Sequence, residues 1–407
     1  MPPHTRWPAV SIGIASGVVA ATFVGKLPGA LPALSGEFDL SLVAAGWVVS
    51  MFNALAVFTA VFFGFIADRA GALRSCFAGL AALALGGAVG ALASSTEMLL
   101  ASRFVEGAGF IAVGVSAPAL IVSAAVGRDR VLALGIWSAY LPFGFAAMLL
   151  VTPFVLAAAG WRGLWWISVA GALITLASLW HMRDEFPLPP PRASRTLSSI
   201  AQALRQPGPW WCALAMCLYT FQWTAVMVWL PTFLVKEREL TLLAASSLTT
   251  LVVGVNVPGI LFGTWLLQRN VPRGTLISVA ALLMGASGVA LFAAGLPDGA
   301  RFAACLILSF GGGMTPPAVL SSSQRYARTP DQISSLQGVI VQLSNLGQFV
   351  GPPAFALVVS ATGGWSATAY LLVAAAAGAV AAGALVRRNE RQMAVARASD
   401  AIPNQKS

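Results

Sequence analysis

Long apolar runs broken at intervals by charged or proline-rich stretches set the pattern of this chain. Within each run the apolar positions are continuous, not alternating. Continuous runs of about twenty residues read as helices long enough to cross a bilayer, whereas alternation would read as strands. Twelve such spans are legible. The first six cover 8–33, 43–66, 74–94, 98–125, 131–158 and 163–182. The other six cover 210–234, 242–267, 274–295, 300–324, 333–360 and 366–386. Between the two sets lies "RDEFPLPPPRASRTLSSIAQALRQPGP", rich in proline and charge as a linker is. Its "LSSIAQAL" portion predicts a short helix on the membrane surface. The expected organisation is a six-helix bundle over 1–182, a cytoplasmic linker over 183–209, a second bundle over 210–390 and a cytoplasmic tail over 391–407.

Composition sharpens the class. The chain has 407 residues, of which 58% are hydrophobic and 9% charged, with mean hydropathy +0.81. Soluble domains carry roughly a quarter charged residues. In hydrocarbon every backbone polar group must be satisfied internally, which leaves helices or closed barrels. The reading is an all-α membrane protein with twelve transmembrane helices. The first run is longer than the apolar core of a signal peptide, and similar runs follow it. Cys76, Cys212, Cys217 and Cys305 lie in or beside apolar runs and read as small packing residues, not as a disulfide framework.

The net charge of +10 invites a nucleic-acid partner, but its placement argues against one. Of the 24 basic residues, six lie on or near one side: Lys26, Arg103, Arg162, Lys236, Arg238 and Arg301. The others, from Arg6 through the linker to Lys406, lie on the opposite side. The positive-inside rule puts that richer side, with both termini, in the cytoplasm of a cell whose inner membrane holds the chain. No soluble basic domain remains to hold nucleic acid.

An ordered internal repeat runs through the two sets. Leu27-Pro28 recurs as Leu230-Pro231, and "DLSLVAAG" from Asp39 as "ELTLLAAS" from Glu239. Asp68-Arg69 recurs as Gln268-Arg269, Arg103-Phe104 as Arg301-Phe302, and Gly160-Trp161 as Gly364-Trp365. Gly135 and Gly144 recur as Gly338 and Gly347. The repeat implies two similar six-helix bundles around a central site.

The loop "GFIADRAGALRS" bridges the second and third spans. It resembles the signature loop of the major facilitator superfamily, G-x-x-x-D-R-x-G-R-R/K, through Gly64, Asp68, Arg69, Gly71 and Arg74. Leu73 stands where that family carries a basic residue. The resemblance implies the facilitator fold and a latch that holds the cytoplasmic side closed in one state. In the second copy Gln268 replaces the acid, so a weaker latch is expected. "RFVEGAG" from Arg103 resembles the family's R-x-x-x-G-x-G motif in the fourth helix, which implies a role for Arg103 in proton coupling or gating. Glu106, one turn later, is either a titrating group or the partner that neutralises Arg103. In the fifth span Gly135 and Gly144 match part of the family's exporter pattern, but the following Gly-Pro is absent there and appears instead as Gly351-Pro352 in the eleventh. The texture "LPFG…GWR" and "GPP…GGW" looks most like the cyanate and nitrite-type anion permeases.

Polar and aromatic residues inside the spans are the candidates for solute contact. They are Thr22 and Lys26 in span one, Asn53 in span two, Ser116 in span four and Tyr140 in span five. The second set adds Tyr219, Gln222, Trp223 and Trp229 in span seven, Asn256 in span eight, and Gln342, Asn345 and Gln348 in span eleven. Polar stripes on membrane helices face protein or water. For each, an interhelical hydrogen bond is the competing reading.

Lys26 raises its own question. Its "GK" is no phosphate loop, because Ala20 and Leu27 stand where such a loop needs glycine and a hydroxyl. Pro28 and Pro32 suggest a broken helix beside a cavity. The lysine either faces Trp229, its counterpart in the repeat, across a solute, or snorkels to the outer interface. His4 and His181 are the only histidines, and no H-E-x-x-H is present, so an enzyme is not expected and no cofactor or metal is called for. Two carrier functions remain. One is transport of a small organic or inorganic anion, drawn from Lys26. The other is proton-coupled efflux of a drug or siderophore-like compound, drawn from the aromatic residues and partial exporter glycines. The expected partners are a small-molecule substrate, with or without proton coupling, and the lipid bilayer, with the monomer as the functional unit.

Overall fold

The computed structural model describes the backbone of residues 4–186, 205–293, 295–327 and 330–400, and the side chains of these except at 60–69, 131, 330, 331, 333–335 and 394–400. Six helices form the N-terminal half: α1 (Trp7–Glu37), α2 (Leu42–Ala70), α3 (Ala72–Ala91), α4 (Thr96–Ala124), α5 (Gly127–Trp137) and α6 (Tyr140–His181). Eight follow the linker: α7 (Pro207–Arg238), α8 (Leu242–Gly254), α9 (Asn256–Gln268), α10 (Arg273–Phe292), α11 (Asp298–Gly313), α12 (Thr315–Tyr326), α13 (Pro330–Thr362) and α14 (Thr368–Asp400). No strand occurs among the described residues.

Ten helical stretches of the described chain are long and apolar enough to cross a bilayer. One of them, α6, serves two crossings. Gly144 packs on Val18 and Gly171 on Val19, so both ends of α6 lie at one level of α1. Twenty-seven residues of straight helix would hold them about 40 Å apart. The chain reverses at Gly160, whose φ of +66° and ψ of −173° suit glycine alone. The 33-residue α13 adds the twelfth crossing. The expected spans are thus present, with three internal breaks that periodicity did not announce. Span five breaks at Ser138, span eight at Val255 and span ten at Met314. The expected surface helix over "LSSIAQAL" lies outside the described residues.

One expectation fails. Pro28 and Pro32 do not break α1, which continues as one helix from Trp7 to Glu37. A proline removes one backbone donor and crowds the preceding turn. Here the flanking Gly25 and Gly29 seat α1 directly on Phe145 and Thr152 of α6, and that packing holds the helix through the prolines.

The repeat is visible in backbone detail. Asp39 and Glu239 both end a helix in the left-handed region, at φ +49° and +54°. Two residues on, Ser41 and Thr241 each cap the next helix by accepting from the amides of Ala44 (3.1 Å) and Ala244 (3.2 Å). Gly71 and Asn270 both take positive φ at the turns after the second and eighth spans. The side chains of Gly64, Asp68 and Arg69 fall outside the description. Arg74 is exposed, whereas its counterpart Arg273 is held by Glu390 at 3.2 Å and Ser321 at 3.1 Å.

Small residues let the helices approach closely, as the bilayer offers no hydrophobic drive between them. Gly107 puts α4 on the Phe52 carbonyl of α2, and Gly109 puts it on Gly79 and Leu83 of α3. The two halves meet through α2 against α13, α6 against α8 and α1 against α7. Gly46 and Trp47, in the first turns of α2, pack on Pro353 and Phe349. That contact lies at the end remote from the termini. Nearer the terminal end the halves part around a cleft of about 390 Å³, between Leu132, Gly135 and Ile136 on one side and Val257, Ile260 and Leu261 on the other.

A methyl group at Gly107 meets backbone that cannot move aside, so Gly107→Ala is expected to cost about 1–3 kcal/mol, the usual range for overpacking. Gly36→Ala has open space around it and is expected to leave the melting temperature unchanged or slightly raised. Thermal unfolding of the two purified variants checks both, and equal losses would show that the close contact at Gly107 carries no weight.

Candidate functional site

The N-terminal half closes around three charged side chains. Lys26 on α1 is fully buried, Arg103 is 1% exposed and Glu106 is fully buried. Arg103 and Glu106 stand three residues apart on α4, which puts them on one helix face. Lys26 donates to Glu106 Oε1 at 2.7 Å, and Arg103 Nη1 donates to Glu106 Oε2. Arg103 Nη1 also donates to the Phe23 carbonyl at 3.0 Å. The carboxylate therefore neutralises Arg103 and holds Lys26 as well. Removing water from such charges is tolerable only when they pair and hydrogen-bond.

Aromatic faces complete the shell. Lys26 Nζ lies 4.3 Å from the ring centres of Phe23 and Trp165, and the Arg103 guanidinium lies 4.4 Å from that of Phe52. A desolvated cation over such a ring gains about 2 kcal/mol. Arg103 Nε and Trp165 Nε1 are buried without a hydrogen-bond partner among the described residues. Two cations share one carboxylate, so the cluster carries one uncompensated positive charge when all three groups are ionised.

This placement resolves the question of Lys26 against both sequence expectations. It does not snorkel, and it does not face Trp229. The long stem turns into the N-terminal bundle, because Glu106 and two aromatic faces offer the ammonium partners there. Trp229 instead donates to the Pro352 carbonyl at 2.9 Å and packs on Trp365.

A second, uncharged constellation forms in the C-terminal half. The break at Val255 sets Asn256 at the first turn of α9. Its Nδ2 donates to the Ser309 carbonyl at 2.9 Å and to the Tyr219 hydroxyl at 3.3 Å. Trp223 donates to Ser309 Oγ at 3.1 Å. Tyr219 and Trp223 are four residues apart on α7 and share a face toward α11. Trp223 also meets Phe145 of the N-terminal half edge-on, with ring centres 6.1 Å apart. Phe145 in turn backs on Gly25, the neighbour of Lys26. Phe145 therefore touches both the polar set and the turn of α1 that carries Lys26.

The other candidates do not join these sites. Thr22 and Ser116 bond to carbonyls of their own helices, and so does Asn345, to Val341 at 2.8 Å. Gln222 donates to Leu218 at 3.2 Å, and its buried Oε1 has no partner among the described residues. Asn53 is buried, and Gln342 and Gln348 are half-buried. Tyr140 stacks on Trp137 at 4.3 Å. Sequence reasoning missed Phe23, Phe52, Phe145, Trp165 and Ser309. Nothing in a run such as "GLWW" marks one tryptophan as the platform for a lysine 139 positions earlier.

A family model described as Major Facilitator Superfamily matches residues 13–352. A protein of Bacillus subtilis (strain 168) named as a niacin/nicotinamide transporter is 21% identical over 359 residues, covering 84% of this chain and 83% of its own. The 2-nitroimidazole transporter of Escherichia coli (strain K12) is 25% identical over 354 residues, covering 85% and 86%. The arabinose-proton symporter of the same strain is 36% identical over 115 residues, covering 28% and 24%. Among solved structures, a bacterial homologue of the human lysosomal transporter Spinster, inward-facing and occupied, superposes with a TM-score of 0.80 at 16% identity over 96% of this chain and 98% of that one. The chain is a multi-pass membrane protein with a transporter's fold, not an enzyme, and it belongs to the Major Facilitator Superfamily.

Proposed function

We propose that this carrier moves a small organic or inorganic anion across the cytoplasmic membrane by alternating access. The observation that carries the reading is the buried cluster in which Lys26 and Arg103 share Glu106. The cluster's one uncompensated positive charge attracts an anion, and the low effective dielectric constant of a protein screens that attraction less than water would. It favours an anion in the seam between the halves. The solute's place there is beside Phe145, Trp223, Tyr219, Asn256 and Ser309, where aromatic faces and amide donors meet. Niacin and 2-nitroimidazole, which appear in the names of two relatives, are small planar heterocycles that suit such a wall. The likeness of the sequence to anion permeases points the same way.

The arginine-rich side is cytoplasmic, with both termini and the linker there, and the monomer is the working unit. Halves 1–182 and 210–390 rock about the contact of α2 with α13. The loop holding Gly64, Asp68, Arg69, Gly71 and Arg74 serves as the cytoplasmic latch. Protons accompany the solute, a reading favoured by the relative named as a proton symporter. The apolar cleft near the terminal end favours a second reading, efflux of a larger apolar compound, because Leu132, Ile136, Ile260 and Leu261 line it.

Uptake into proteoliposomes separates these readings. Transport of nicotinate, an anion, is expected to saturate, to fall steeply on cooling and to exceed that of neutral nicotinamide. Transport of larger apolar compounds in place of nicotinate would favour the second reading, and flux without saturation would establish a channel. Trp223→Ala is expected to raise KM up to about tenfold by removing the aromatic wall, with Trp223→Phe nearer the native value. Glu106→Gln strips the shared carboxylate from two buried cations. It is expected to lower stability by about 3–5 kcal/mol, and adding Lys26→Met is expected to recover part of that loss in a thermal unfolding cycle.

A further inference from the structure

Lys26, Glu106 and Arg103 hold more charge than they balance, and the way they share it identifies which member can change. Arg103 cannot release its proton, because a guanidinium remains protonated in proteins. Protonating Glu106 would leave two cations facing each other with no carboxylate between them. Losing the proton of Lys26 leaves a neutral Arg103–Glu106 pair and an uncharged amine that still donates to Glu106 Oε1. With Arg103 fixed as a cation, this change alone brings the cluster to zero.

The surroundings are consistent with that change. Around Lys26, α4 supplies Glu106 and Arg103, and these are the charged groups that act on it electrostatically. Helix α3 contributes Gly86, Gly87 and Gly90 to this region, α6 contributes Trp165 and Phe145, and α2 contributes Phe52. Helices α5 and α7 also touch α1 and bring no charged group to bear on the lysine. Phe23 and Trp165 pack on Lys26 Nζ with ring faces that tolerate an amine as well as an ammonium.

Resting on the carrier reading above, we propose that Lys26 is the group that takes up and releases the coupling proton, with Glu106 as the shared partner of both cations. In the step, Lys26 Nζ–H breaks and the proton passes to water admitted from the open side of the seam. No other bond changes, and the reverse step restores the ammonium. An anion arriving beside Trp223 favours the ammonium through its field, which needs no touching atoms. Its departure favours the amine. Linkage between the two bindings is reciprocal, so proton and anion travel in the same direction.

The chain has three lysines, Lys26, Lys236 and Lys406, which makes a direct measurement simple. Side-chain ¹³C-lysine labelling of the full-length protein gives three signals, and that of Lys26 is assigned by its absence in Lys26→Arg. The expected result is a Lys26 signal that moves between ammonium and amine positions within the pH range where the protein stays folded, and that shifts toward ammonium when nicotinate is added. A signal fixed at the ammonium position throughout overturns the proposal. In proteoliposomes, Lys26→Arg keeps a cation beside Glu106 but cannot cycle a proton, so nicotinate-driven proton movement is expected to fall about tenfold or more, as it is in Lys26→Met. Native proton movement in Lys26→Arg would mean that the ion pair alone matters, and would overturn it too. If the native protein carries no nicotinate, the reading of its function fails, while the lysine titration still decides the role of Lys26.

Discussion

A single carboxylate governs the N-terminal half. Glu106 is fully buried and touches two cations from two helices, so α1 and α4 cannot separate without exposing charge to hydrocarbon. The glycines around it make that contact possible. Gly86 sits against Glu106, Gly107 lets α4 lie on α2, and Gly25 lets α1 lie on α6. Bulkier residues at those places would push the helices apart and lengthen the ion pairs. Close packing and charge pairing are therefore one constraint here. The glycines set the distance at which the charges can be paired.

The duplicated architecture makes the asymmetry of chemistry plain. The two halves share helix ends, caps and turns, down to the left-handed Asp39 and Glu239. Yet Lys26 is answered by Trp229, Glu106 by no acid, and the buried Arg103 by a half-buried Arg301 that bonds to the carbonyls of Leu296 and Leu291. The C-terminal half fills the corresponding space with neutral amide, phenol and indole groups. One half is thus a charged, rigid body and the other a neutral surface with a broken helix at Val255. At that break the amide of Val255 still donates to the Leu251 carbonyl, and the side chain of Asn256 ties the next helix to Ser309 and Tyr219.

Much of the fold was legible because lipid leaves few options. Twelve apolar runs could be little else than helices, and the ordered repeat fixed their grouping. The charge cluster was partly legible. An arginine and a glutamate one turn apart in a greasy run must pair, but the sequence does not say that a lysine 77 positions before the arginine completes the set. Partner choice depends on the rotation of α1 about its axis, which the all-round apolar sequence of that helix does not encode. The unbroken α1 illustrates the same limit. Proline weakens a helix locally, and whether the helix gives way depends on what packs on it. The aromatic platforms were illegible for a related reason. Tryptophan and phenylalanine are common in membrane spans, and only the fold selects Trp165 and Phe23 from among them.

The two sites are best understood together, through Phe145. Its backbone carries Gly25 of the charged half, and its ring meets Trp223 of the neutral half. A carrier must keep its halves rigid and concentrate change at their seam. The cluster gives the N-terminal half that rigidity, because its ion pairs join α1 to α4 and residues of α2, α3 and α6 pack on it. The seam is different, since a single edge-on aromatic pair is worth only about 0.5–1.5 kcal/mol beyond its buried area. A buried charge still acts across such a contact, because its field needs no touching atoms. The arrangement separates two tasks that conflict in one place. On the carrier reading, binding at the seam can exchange its contacts as the halves rock, while Glu106 keeps Lys26 and Arg103 gathered within the N-terminal half.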